Sequence, residues 1–184
     1  SSQKVGPSIA EDITYGAIWS VILAIIAIFI YILIRFRNVA YSVGSVIALV
    51  VDVVLIIGTY SLLHGVLPFS MDVDQTFIGA ILTAIGYSIN DKVVIFDRIR
   101  EFFTLYPKRA LNENINKAIC STLSRTMNTS GTTIVTLLAM FILGGENLRG
   151  FIFALLLGVI IGTYSSVFVA TPIAYDILNR GEKK

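Results

Sequence analysis

Residues 13–34 read ITYGAIWSVILAIIAIFIYILI: 22 positions without a charge, closed by Arg35 and Arg37. At 1.5 Å per residue a helix of that length covers about 33 Å, the thickness of a bilayer's hydrocarbon layer. The apolar positions run on without strand-like alternation, and a backbone in lipid must satisfy its own polar groups. A helix does that within one segment.

Four further stretches have the same character. They span about 39–63, 75–97, 121–143 and 151–177, the fourth with a polar first half. Together they predict an all-α integral membrane protein with about five transmembrane helices. Residues 1–12 are expected to be the remnant of an extracytoplasmic region, and 13–179 the helical bundle. Residues 180–184 are expected to form a cytoplasmic tail. Segment 110–120 carries Leu111, Ile115, Ala118 and Ile119 at helical spacing beside Asn and Lys. It predicts an amphipathic helix on the inner membrane surface. Asp74 is a candidate N-cap for the third span.

Composition agrees. Of 184 residues 55% are apolar and 14% charged, with mean hydropathy +0.82. A soluble domain carries about 25% charged residues. One Cys and one His exclude an internal disulfide framework and a zinc-type cluster. No cleavable signal peptide is visible. The net charge is only +2, but its placement is one-sided. Lys4 and Arg149 fall on one side of the membrane. Arg35, Arg37, Arg98, Arg100 and most other Lys and Arg residues fall on the other, which the positive-inside rule makes cytoplasmic. The N-terminus is then outside and the C-terminus inside.

Three ionisable residues sit where lipid should be: Asp52 in the second span, Asp91 in the third and Arg125 in the fourth. A charge at the bilayer centre costs roughly 2.5–3.5 kcal/mol on insertion scales, so such residues pair or face a hydrated cavity. Asp91 and Arg125 sit at similar depths near the loop that joins their helices, and they are expected to meet. Ala80, Thr83, Tyr87, Asn90 and Asp91 share a side of the third helix at three- and four-residue steps. On the fourth, Thr122, Arg125, Thr129, Thr132, Thr133 and Thr136 do so. Hydroxyl stripes beside a buried charge can hold water and relay protons, with Asn90, Tyr87, Thr129 and Thr133 as supports. They can equally glue helices.

Arginine stays charged at physiological pH, so the exchangeable proton belongs to Asp91. Burial and a nearby guanidinium act on a carboxyl group's proton in opposite senses. A movement of Arg125 relative to Asp91 would therefore change whether Asp91 keeps its proton. The alternative is a static ion pair that clamps two helices. Asp52 needs a partner from another helix and serves either a relay or a structural role. Lys92 is expected to snorkel to the inner interface, and His64 to be a polar terminus. Gly158 and Gly162 form a G-x-x-x-G, and Ala80 and Ala84 repeat the spacing. Pro172 is expected to kink or end the fifth helix.

Four blocks then point to a family. They are GYSINDKVVIFDR at 86–98, TLSRTMNTSGTT at 122–133, GGENLRGF at 144–151 and GVIIGTYSS at 158–166. In this order they resemble SecF, the smaller half of the SecD–SecF accessory complex of the bacterial and archaeal Sec translocase, separate or fused to SecD. The resemblance implies a proton-driven transporter of the resistance-nodulation-division type in the cytoplasmic membrane. It would be multi-pass and non-enzymatic, and would help secreted proteins emerge on the outer side. It implies that the first helix and nearly all of an outer domain lie outside this sequence. The family's membrane carboxylate falls on Asp91 and its membrane arginine on Arg125.

The sequence departs from the family at two points. Asp52 follows Val51 where the family usually has His, and Lys92 stands where a small polar residue is usual. Implied partners are the SecD half, the Sec translocation channel, the translocating preprotein, lipid and protons. No cofactor, metal or nucleic acid is implied, and no nucleotide-binding motif is present. Two other readings remain: a structural scaffold of the translocase with Asp91 and Arg125 as a clamp, and a small-molecule or lipid exporter of the same superfamily.

Overall fold

A computed structural model describes residues 7–69, 71 and 73–182, with the side chains of 7–14, 147 and 182 outside the description. Five helices are long and apolar enough to cross a membrane. The chain is read as a multi-pass membrane protein, and the described residues contain no strand. Helix α1 is Pro7–Phe36, α2 Val39–Leu63, α3 Gln75–Leu105 and α4 Leu111–Leu143. The last span is Glu146–Ser165 (α5), a π-helical turn Ser166–Ala170, and Thr171–Glu182 (α6).

Local chemistry sets the ends. Arg37 adopts φ 52°, and its N–H bonds the Leu33 carbonyl at 2.8 Å, closing α1. Asn38 then accepts from the Ala40 amide at 2.9 Å and starts α2. The two helices are thereby joined by a two-residue turn. Asp74 caps α3 through the Phe77 amide at 2.9 Å, as its position suggests.

The elements differ from the expected limits in several places. The described part of the expected outer remnant, residues 7–12, opens α1; residues 1–6 lie outside the described residues. Helix α3 runs past 97 to Leu105. Segment 110–120 is the first third of α4 rather than a separate surface helix, because Asn114, Ile115 and Ala118 are buried and continue the row of Thr122 and Thr126. Asn114 Nδ2 also donates to the Tyr106 carbonyl at 3.1 Å, fastening that start to the loop after α3.

Pro172 does not end the last span: a π turn precedes it and the helix resumes as α6. Proline has no N–H, and its ring crowds the carbonyl four residues before it. The π turn that precedes Pro172 widens the helix there, and Thr171 Oγ1 donates to the Ser166 carbonyl at 2.8 Å. Helix α6 then continues to Glu182, so the expected tail begins as helix.

Helix α5 occupies the centre, against α2, α3 and α4. Close approach is possible because of Gly158 and Gly162. A Cβ on Gly158 would stand 2.2 Å from the Ala84 Cβ. The G-x-x-x-G thus meets the small residues of α3, as such motifs do in membranes. Two apolar clusters fill the bundle. One, toward the Arg-rich end, centres on Phe36, Tyr41 and Phe96; the other, toward the opposite end, on Tyr60, Phe77 and Ile81. Most of α1 is exposed and apolar, which suits contact with lipid.

Candidate functional site

Between the two clusters lies a polar layer. Helix α3 contributes Ser88, Asp91 and Lys92, all buried; α2 contributes Asp52, α4 Ser130, and α5 Thr163 and Ser165. The layer has two neighbouring parts.

The first is built on Asp91, 3% exposed. Ser130 Oγ and Thr163 Oγ1 lie 3.4 and 3.3 Å from its Oδ2, and 2.6 Å from each other. Each hydroxyl donates toward the carboxyl oxygen, and the pair links Asp91 to α4 and α5 together.

The second part is built on Lys92. Its Nζ donates to Asp52 Oδ2 at 2.9 Å, to Ser165 Oγ at 3.1 Å and to Ser88 Oγ. Ser88 Oγ in turn donates to Asp52 Oδ2 at 2.7 Å. An ammonium has three N–H bonds, and each has an acceptor here. Lys92 is 0% exposed, which overturns the expectation that it snorkels to the interface. A partner on α2 and a hydroxyl on α5 hold the charge where a stretched side chain would otherwise seek water. Asp52 thus finds its partner on another helix, while its Oδ1 is buried with no hydrogen-bond partner among the described residues.

Arg125 is not part of this layer. Its side chain is exposed and makes no hydrogen bond or ion pair among the described residues, and the expected contact with Asp91 is not formed. The cause is rotational. The inward row of α4 is Ile115, Ala118, Thr122, Thr126 and Ser130. Arg125 is three residues from Thr122 and one from Thr126, so it projects about 60–100° to one side of that row. It lines a polar cavity of about 430 Å³ with Arg35, Asp97, Arg98, Glu101 and Ser121. The cavity's other charges are largely paired: Arg35 with Asp97 at 3.1 Å and Arg98 with Glu101 at 2.6 Å.

The supporting residues divide. Tyr87 Oη donates to Thr133 Oγ1 at 3.2 Å, joining α3 to α4. Thr129 Oγ1 donates to the Arg125 carbonyl at 2.9 Å, within its own helix. Asn90 is exposed. Sequence reasoning missed Ser130, Thr163, Ser88 and Ser165. Two signals were available: the four-residue row Thr122, Thr126, Ser130, and the four-residue step from Ser88 to Lys92.

The family model for the C-terminal part of the protein export membrane proteins SecD and SecF matches residues 1–180. The chain belongs to the SecD/SecF family. Its relatives include SecF proteins. The protein translocase subunit SecF of Rhodothermus marinus is 53% identical over 176 residues, covering 96% of this chain and 57% of that protein. SecF of Rhodobacter capsulatus is 42% identical over 185 residues, covering 100% and 54%. The SecD/SecF domain described here therefore spans about half the length of these relatives. A crystal structure of SecDF in a super-membrane-facing form has the same fold. It is 36% identical with a TM-score of 0.83, over 97% of this chain and 23% of that one.

Proposed function

We propose that this chain is the membrane part of a SecF-type subunit that couples proton movement to protein export across the cytoplasmic membrane, with Asp91 as the proton-carrying group. One observation carries the reading. Asp91 is a buried carboxyl group in a membrane span, held through one oxygen by a hydroxyl from each of two other helices. Arg125, free in a polar cavity on the next helix, is the countercharge available when that proton leaves. Tyr87 and Thr133 tie the two helices that carry these groups. The Lys and Arg distribution supports an N-terminus outside and a C-terminus inside. The SecD half, the Sec channel and the emerging preprotein are the partners.

Asp91→Asn in the full-length subunit, assembled with SecD in membrane vesicles, tests this. The gradient-dependent part of export disappears while the complex still assembles. Export that still responds fully to the gradient refutes the reading.

A scaffold without proton traffic is the second reading. It is favoured by the Lys92–Asp52 pair, which joins α3 to α2 and needs no proton exchange. Under it Asp91→Asn lowers complex yield instead of coupling. An exporter of small molecules or lipids finds no specific support in the polar layer.

A further inference from the structure

The polar layer holds a positive charge for which the proposed proton exchange at Asp91 has no role. Lys92 follows Asp91 directly in α3 and is fully buried. Its ammonium makes all three of its hydrogen bonds away from Asp91, to Asp52, Ser88 and Ser165. The charged groups around Asp91 are few. Helix α2 offers Asp52, α3 offers Lys92, and α4 offers Arg125 from its cavity; α5 brings only hydroxyls, Thr163 and Ser165. The phenol of Tyr87 is the other titratable group nearby on α3, and it is occupied by Thr133.

With Asp91 neutral, Asp52 and Lys92 cancel, and the buried layer carries no net charge. With Asp91 ionised, the layer carries one negative charge in a medium that penalises it. How much of that penalty Lys92 relieves depends on how firmly Asp52 and Ser165 hold it. An ammonium fixed to Asp52 leaves Asp91 its proton; an ammonium released toward Asp91 favours the ionised form.

We infer that Lys92 is a positioning residue for proton exchange at Asp91, and that Asp52 on α2 and Ser165 on α5 set its strength by holding the ammonium on the far side of the layer. This rests on the reading of Asp91 as the proton carrier. It makes the two neighbouring clusters one device. Helices α2 and α5 both hold the ammonium, so a shift of either against α3 alters the affinity of Asp91 for its proton.

The test is a pH titration of the complete SecD–SecF complex in proteoliposomes, followed by infrared difference spectroscopy. The carbonyl stretch of a protonated carboxyl group is read, and Asp91→Asn assigns the band. Asp52→Asn frees Lys92 and moves the loss of the band to lower pH by about one unit or more, tenfold in proton affinity. Ser165→Ala leaves every charge in place, removes one acceptor, and moves it the same way by less. Lys92→Gln moves it to higher pH. A midpoint unmoved in Asp52→Asn and Ser165→Ala overturns the role of Lys92 while Asp91 remains the carrier. A spectrum in which Asp91→Asn removes no titrating band overturns the reading of Asp91 itself. Ser165→Ala takes away a single hydroxyl, so it remains informative where the charge variants do not accumulate.

Discussion

Gly162 on α5 touches Ser88 on α3 so closely that an added Cβ would stand 2.7 Å from both the Cβ and the Oγ of Ser88. The contact sits beside the polar layer. Ser88 Oγ bonds Asp52, and Gly162 supplies the carbonyl that accepts from Ser165 Oγ at 3.2 Å. Helix spacing and charge placement are therefore fixed by one pair of small residues.

Gly162→Val forces α5 and α3 apart. Overpacking of this kind costs about 1–3 kcal/mol, and here it also parts Lys92 from Ser165. Lower thermal stability of the detergent-solubilised protein, with loss of gradient-dependent export, is the expected outcome. Gly16→Ala, where an added Cβ meets nothing within 4 Å, is the control and leaves both unchanged.

Lys92→Met strands the Asp52 carboxylate in the bundle. Breaking a buried pair by removing one partner costs roughly 3–5 kcal/mol, whereas replacing both partners is often neutral. Chemical unfolding should show a large loss for Lys92→Met and recovery in Asp52→Asn with Lys92→Met. A single variant as stable as the parent would contradict the pairing of α2 with α3.

Arg125→Gln separates relay from clamp. The guanidinium makes no hydrogen bond or ion pair among the described residues, so its loss changes stability by less than about 0.5 kcal/mol, as for surface substitutions generally. Gradient-dependent export nevertheless falls with it. Complex yield that drops as far as export does would favour the clamp.

Asp74→Ala removes the cap on α3. The loss of such a cap costs about 1 kcal/mol, and Asp74→Asn recovers most of it. Hydrogen exchange at the Phe77 amide reports the change directly, since that amide donates to Asp74 Oδ1 at 2.9 Å.

The five spans were legible because a largely apolar run of some twenty residues in lipid admits few conformations. Asp74 as a cap was legible for a similarly local reason. The rotation of α4 was not. Hydroxyls recur around that helix at 122, 126, 129, 130, 132, 133 and 136. Several inward rows thus satisfy the same spacing, and placing Arg125 inward selected the wrong one. The true row is fixed by small and medium side chains, Ala118, Thr122, Thr126 and Ser130, meeting α3 and α5. Lys92 misled for a different reason. Its distance from the helix end makes snorkelling feasible, and only the position of Asp52 on α2 decides against it.

The π turn at Ser166–Ala170 means that the last span holds one residue more than a regular cylinder of its height would. The wider turn takes up that surplus, so the face of α6 that meets α2 keeps its direction. Excising Val167 would let the turn close to a regular helix of the same height, leaving Ala174 seated against Gly44. Excising a residue from the regular part of α5 would instead swing the downstream surface by about 100°.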